Sequence, residues 1–293
     1  MSMKSVRVAV IGLGAMGAAL AAAILRSGAE VRVWNRTAGK SAVLQDQGAI
    51  VSATASDAIS ESEFVVVCVS NYPVWRSLAK EQSLGQTLVD RTVVQLTTGT
   101  IEQVREHENW IGECGARLID GSIMCFPSQI GTDDASLMVA GAQGVFDSCH
   151  DILTTIAPNT SYLDDNIVAP VVLGRALISE ALGLIFGTVN GAALCRAGGV
   201  SLAHFTAHTR LASPVLANEV LRICEAIESG ETVTTEAALK TWAEGQSALL
   251  DVARTLRTRT EFQDSLQFLF QRAIQRGLGD HDISALVNVL EAE

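Results

Sequence analysis

A chain of 293 residues with 32 acidic and 21 basic side chains carries a formal net charge of −11. That balance excludes nucleic acid and anionic lipid as partners, because phosphates need clustered Lys and Arg. A composition of 48% hydrophobic and 18% charged residues predicts a globular chain of about two domains, and no Ser/Pro/Gly-rich tract suggests a long linker.

The opening MSMKSVRVAVIG runs into glycines too soon for the apolar stretch of a signal peptide, so none is expected. Residues 6–11 are alternating and β-branched, which predicts a buried strand. Gly12, Gly14 and Gly17 follow in GxGxxG spacing, and an alanine-rich helix runs to Gly28 before a second strand at 30–34. Each glycine then has a physical task. Gly12 permits the tight turn, Gly14 lets backbone approach a pyrophosphate, and Gly17 lets helix pack on strand. The helix N-terminus, with Leu13, Ala15 and Met16 completing the loop, offers free N–H groups to the phosphates. The spacing alone is common, but between a strand and a helix it predicts a dinucleotide site.

The end of the second strand selects the dinucleotide. An acid there would accept from the ribose hydroxyls of NAD and repel a 2′-phosphate. This chain has Asn35, Arg36 and Thr37, with Lys40 one turn on, and these suit a 2′-phosphate. NADPH is the expected cofactor. Further strands at 64–70, 92–98, 117–123 and 136–141 alternate with helix-forming segments. They predict an α/β doubly wound, mostly parallel sheet, giving a dinucleotide domain over 1–165. The cofactor is expected across the C-terminal strand ends, where Val69, Ser70 and Thr98 fall.

From Pro170 to Ala197 nothing breaks the chain more strongly than single glycines, and Gly198-Gly199 follow. The pattern predicts one helix of roughly 27 residues and roughly 40 Å, the core of an interdomain segment at 166–199. Its length would suit a membrane span, but Arg175, Glu180 and Asn190 interrupt the run. Gly183, Gly187 and Gly191 recur every fourth residue and make a smooth stripe for another helix, so an intertwined dimer is expected rather than a bilayer. Helical patterns at 201–229, 234–257 and 260–276 make 200–293 an all-helical domain. The six cysteines (Cys68, Cys114, Cys125, Cys149, Cys195, Cys224) show no CxxC pair and no matching histidines, so zinc is not expected and reduced thiols in a cytoplasm are. Asp280-His281-Asp282 could suggest a metal cluster, but adjacent residues on a helix point different ways, and no metal is expected.

The segments GLGAMG, WNRTAGK, LTTGT, DGSIMCFPSQIG and GLGDHDISALVNVL, on a dinucleotide domain with a long helix and a helical tail, resemble the β-hydroxyacid dehydrogenase superfamily. Within it the chain is most similar to the NADPH-dependent imine reductases, over essentially its whole length. The resemblance implies a homodimer that swaps helical domains, with each active site formed between one subunit's dinucleotide domain and the other's helices.

Two positions separate the sub-families. Hydroxyacid enzymes hold the substrate carboxylate with the serine and glycines of a DxPVSGG-type segment; counting from Asp120, this chain has Met124, Cys125 and Phe126 there. They also carry a catalytic lysine four residues after a glycine on the long helix; counting from Gly174 gives Ile178. Both departures weigh against hydroxyacid oxidation, which needs a base for the alcohol proton. Imine reductases usually place Asp or Tyr at that position, and alignment without gaps again gives Ile178. The nearest acid, Glu180, lies about 200° around the helix. It reads first as a polar residue at a helix or subunit contact and second as the catalytic acid.

Without an acid, a substrate that already carries charge needs only a hydride. Met124, Phe126, Ile178, Phe186, Trp242 and Tyr162 are candidate walls, some reaching across the dimer, and aromatic faces attract such cations. The expected function is NADPH-dependent reduction of a cyclic imine or a pre-charged, N-alkylated iminium, with natural-product tailoring as one setting. A β-hydroxyacid or semialdehyde dehydrogenase is the alternative, and a non-catalytic NADPH-binding dimer the second.

Overall fold

A computed structural model describes residues 6–232 and 237–291. The chain divides into two compact units, Met1–Glu180 and Ala181–Glu293. In the first, the elements run β1 (Arg7–Ile11), α1 (Ala15–Arg26), β2 (Glu30–Trp34), α2 (Ala42–Asp46), β3 (Ile50–Val51) and α3 (Ala55–Ser60). β4 (Phe64–Val67), α4 (Tyr72–Glu81), α5 (Leu84–Thr87), β5 (Thr92–Gln95), α6 (Ile101–Glu113) and β6 (Arg117–Ile123) continue the alternation. β7 (Ser136–Ala140), α7 (Gln143–Ile156), β8 (Asn159–Tyr162) and the start of α8 (Ala169–Ala197) complete it.

The strands form one eight-stranded sheet in the order β3-β2-β1-β4-β5-β6-β7-β8. All neighbours are parallel except β6 and β7. The central strands are valine-rich and buried on both faces, as a sheet covered by helices on each side requires. The strands expected over 64–70 and 92–98 stop at Val67 and Gln95 for a local reason. Gly12, at φ +97°, turns the chain away directly after Ile11, so β4 and then β5 lose their neighbours at the pairs Ile11–Val67 and Val67–Gln95. Their polar tails become loops over the strand ends. β3 and β8 escape sequence reading, since one has two residues and the other is a polar edge strand without apolar alternation.

The second unit holds the rest of α8 and α9 (Leu202–Ser229), α10 (Leu239–Thr255), α11 (Glu261–Gln275) and α12 (Val287–Leu290). The expected helix start at 234 lies outside the described residues. A small core of Leu239, Ala243, Phe270, Ala273 and Val289 ties α10 to the C-terminus. Asp280-His281-Asp282 is not helical, which corrects the sequence reading: Gly277, at φ +82°, ends α11 ahead of it. The three side chains are spent separately. Asp280 pairs with Lys240, His281 bonds Thr232 at 2.8 Å, and Asp282 meets Arg222 at 3.0 Å and caps Ser284.

α8 is long and apolar enough to cross a membrane by length and composition. Within this chain it exposes Leu184, Ile185, Phe186 and Val189, and α9 exposes Leu211, Val215 and Leu221. Of the glycine stripe, Gly191 is packed, since a Cβ there would come 2.9 Å from the Phe205 ring; beside Gly183 and Gly187 the space is open.

Candidate active site

The glycine loop between β1 and α1 is built by contact. A Cβ on Gly12 would lie 2.4 Å from the Cys68 carbonyl oxygen, and one on Gly17 would lie 2.0 Å from that of Gly12. Gly14 differs, for a Cβ there meets nothing within 4 Å. Gly14 is the N-cap of α1 and no side chain caps that helix, so its first-turn N–H groups face the cleft without an intrahelical partner. Leu13 is buried in the core and its N–H donates to Asn35 Oδ1 at 2.9 Å. Asn35 Nδ2 in turn donates to the Thr37 carbonyl at 2.9 Å. Asn35 is therefore a strap that holds the glycine loop to the end of β2, and it also lines the cavity described next.

A cavity of about 870 Å³ runs from this loop between the β2 end and α4, lined by Gly14, Ala15, Met16, Gly17, Arg36, Thr37, Lys40, Val69 and Ser70. Arg36, Thr37 and Lys40 are exposed at its mouth. The carboxylate on its wall, Glu81, accepts from Ser77 Oγ at 3.0 Å. Met16, Cys68 and Val69 also line a second cavity of about 290 Å³, with Thr98, Met124 and Ile178. The two cavities thus share a wall along the C-terminal strand ends, as expected for an open α/β sheet.

Side-chain straps set the shape of the smaller cavity. Thr97 Oγ1 accepts from the Val69 N–H at 3.1 Å, tying the β5 tail to the β4 tail. Ser122 Oγ donates to the Pro170 carbonyl at 2.8 Å, and Gly174 brings α8 so close that a Cβ would sit 3.1 Å from that hydroxyl. Behind the wall, the Tyr72 hydroxyl donates to buried Asp120 at 2.6 Å, and the Tyr72 ring fills the space over Gly99. Burial pushes the Asp120 carboxyl up to about 8, against the hydrogen bond from Tyr72, which lowers it. Sequence reading missed this pair; its signal was an aspartate directly after Leu118-Ile119 in the middle of the strand RLIDGSI. Burial also pushes the Cys68 thiol up to about 11, which disfavours the thiolate.

A family model described as the NAD binding domain of 6-phosphogluconate dehydrogenase matches residues 7–164. Another, the C-terminal domain of NADPH-dependent reductive aminase-like proteins, matches residues 172–292. The NADPH-dependent reductive aminase of Aspergillus oryzae is 30% identical over 287 residues, spanning 97% of this chain and 96% of its own. The chain belongs to the reductive aminase family. Its members act as oxidoreductases on C=N bonds. Among solved structures, the imine reductase of Myxococcus stipitatus in complex with NADP+ matches with TM-score 0.92 and 30% identity, over 97% of this chain and 99% of that one. The reductive aminase of Aspergillus terreus in complex with NADPH and ethyl levulinate matches with TM-score 0.88 and 29% identity, over 98% and 100%.

In this chain, Met124 and Ile178 line the smaller cavity, whereas Glu180 is exposed and is not among its lining residues, and Phe126 is 75% exposed on the following loop. Phe186 and Trp242 belong to the helical unit. There Phe186 packs on Phe262 with ring centroids 6.2 Å apart, and Trp242 is partly exposed on α10. Tyr162 requires a correction. Because β7 reverses direction and β8 follows it, Tyr162 ends at the opposite edge of the sheet, beside Arg117 and Leu118 at the start of β6. Its hydroxyl donates to the Gly141 carbonyl at 2.8 Å and its ring packs on Phe146.

Proposed function

We propose that this protein uses NADPH to reduce a cyclic imine or iminium that reaches the site already carrying its positive charge. One observation carries the reading. Among the described residues of this chain, the walls of the smaller cavity include no carboxylic acid, histidine, lysine or tyrosine, and Ile178 stands where the resemblance places the family's acid. When bound, NADPH supplies the hydride. Gly14 and the uncapped start of α1 would hold its pyrophosphate, while Arg36, Thr37 and Lys40 would hold its 2′-phosphate. Met124, Leu96, Val171 and Ile178 would exclude water and hold the acceptor carbon near the nicotinamide, so the rate comes from positioning and desolvation. The hydroxyacid alternative is disfavoured because Met124, at the position of that family's carboxylate-holding serine, lines the cavity, and among the described residues no lysine does.

The apolar faces of α8 and α9 fit burial in a homodimer, with Gly183 and Gly187 admitting a partner helix. All six cysteines are free thiols, which suits a cytoplasmic protein, and tailoring of a natural product is a fitting setting.

The test follows NADPH absorbance with neutral cyclic imines and their N-methyl iminium salts across pH. The expected result is a rate on the neutral imines that falls about tenfold per pH unit above the iminium's own pKa, while the rate on the salts stays flat. Parallel pH profiles for the two sets would show that a protein acid takes part. Gly14→Ala is expected to change stability by less than about 1 kcal/mol, since the space around it is open. It should weaken NADPH binding by about 10-fold or more by blocking the pyrophosphate. Thermal denaturation and calorimetric titration of the same protein check the two halves.

A further inference from the structure

The smaller cavity is apolar apart from two threonines, one committed serine and a single charge, the guanidinium of Arg175. Val171, Gly174, Arg175 and Ile178 follow the i, i+3, i+4, i+7 spacing of one helix face, and all four line the cavity. Arg175 is therefore presented beside Ile178, about one turn or 4.5 Å along the axis. Its Nη2 makes one long contact, 3.4 Å to the Gly99 carbonyl, and among the described residues no carboxylate pairs with it. Guanidinium cannot lose its proton at ordinary pH, so this wall is positive under all assay conditions.

A fixed cation beside the reacting C=N has a consequence for substrate choice. It repels a bare iminium, the species that a site without an acid needs. The conflict disappears when the substrate carries its own anion. Resting on the reading of the site as a C=N reductase, we infer that Arg175 is a specificity-determining residue that takes a carboxylate, and that the acceptor is a cyclic imino acid with its carboxylate on the C=N carbon. The fork of guanidinium N–H groups matches a carboxylate bidentately. That carboxylate holds the ring at Arg175 and offsets the repulsion, so an imine protonated by solvent before it enters can bring in the proton that Ile178 cannot give. The step balances: hydride adds to the C=N carbon, the π pair moves to the nitrogen, the iminium carboxylate becomes an amino carboxylate, and solvent later protonates the amine.

The experiment compares 1-pyrroline-2-carboxylate with neutral 2-methyl-1-pyrroline on the native protein, Arg175→Gln and Arg175→Lys. Native protein should prefer the carboxylate in kcat/KM by about 100-fold, and Arg175→Gln should abolish the preference mainly through KM, with Arg175→Lys restoring part of it. Calorimetry of the NADP+-bound protein with pyrrole-2-carboxylate should show binding that Arg175→Gln removes. No preference in the native protein overturns the assignment. So does an equal fall on both imines in Arg175→Gln, which would make Arg175 a support for Gly99. If neither imine is reduced yet pyrrole-2-carboxylate binds in an Arg175-dependent way, the C=N reading fails and the carboxylate site stands. If it does not bind and neither imine is reduced, both fail.

Discussion

Ile178→Tyr is expected to raise kcat/KM on neutral cyclic imines at pH 9 by about 100-fold, the lower end of what a positioned general acid contributes. Ile178 faces the smaller cavity from α8 and is 40% exposed, so a larger side chain has room. A phenol keeps its proton through pH 9, and the guanidinium of Arg175, three residues earlier on the same face, favours proton release from it. The N-methyl iminium salts, which have no proton to receive, should gain nothing from the same substitution. Ile178→Asp should gain much less. Its carboxylate would pair with Arg175 at i,i−3 and remain ionised, and an ionised acid donates no proton. Rates from NADPH absorbance with both substrate sets decide the matter. A tyrosine variant that accelerates salts and neutral imines alike would act by reshaping the cavity, and the proposed absence of acid catalysis would lose its support.

Removing the two cations at the β2 end should have an effect of similar size on the cofactor. Arg36→Ala combined with Lys40→Ala is expected to raise the KM for NADPH by about 100-fold or more. Each lost charge-assisted hydrogen bond is worth about 1.5–3 kcal/mol, and 1.4 kcal/mol is a tenfold change. Both residues are exposed at the mouth, so the lower figure applies. NADH lacks the 2′-phosphate and should keep its KM within about threefold. Asn35 is left in place in this variant, so the strap to Leu13 and the shape of the glycine loop persist. A parallel loss for both dinucleotides would place the 2′-phosphate elsewhere.

Some of this was readable because it is local. GxGxxG, the valine-rich strands and the run from Pro170 to Gly198 are periodic patterns, and backbone sterics turn such patterns into strand, turn and helix with little help from the rest of the chain. Position 178 was also legible, since counting along one helix from Gly174 needs no tertiary information. The family resemblance carried the same elements, and with them the expected C=N chemistry.

Other features depend on which strand lies beside which and in what direction. Asn35 reads only as a ligand in sequence; with β2 against β1 it lines the dinucleotide cavity and also straps the glycine loop. Tyr72 and Asp120 are 48 residues apart, and they meet only because β5 sits between β4 and β6, bringing the chain that follows β4 over the end of β6. Tyr162 lies at the far end of the sheet because β7 reverses direction against β6 and β8 runs with β7. Arg175 read as an interruption in an apolar helix until α8 was seen docked on Ser122, with the guanidinium facing the cavity. Local periodicity determined the elements and the dinucleotide cleft. Strand order, strand direction and the docking of α8 decided which side chains share a cavity, because those contacts join residues far apart in the chain.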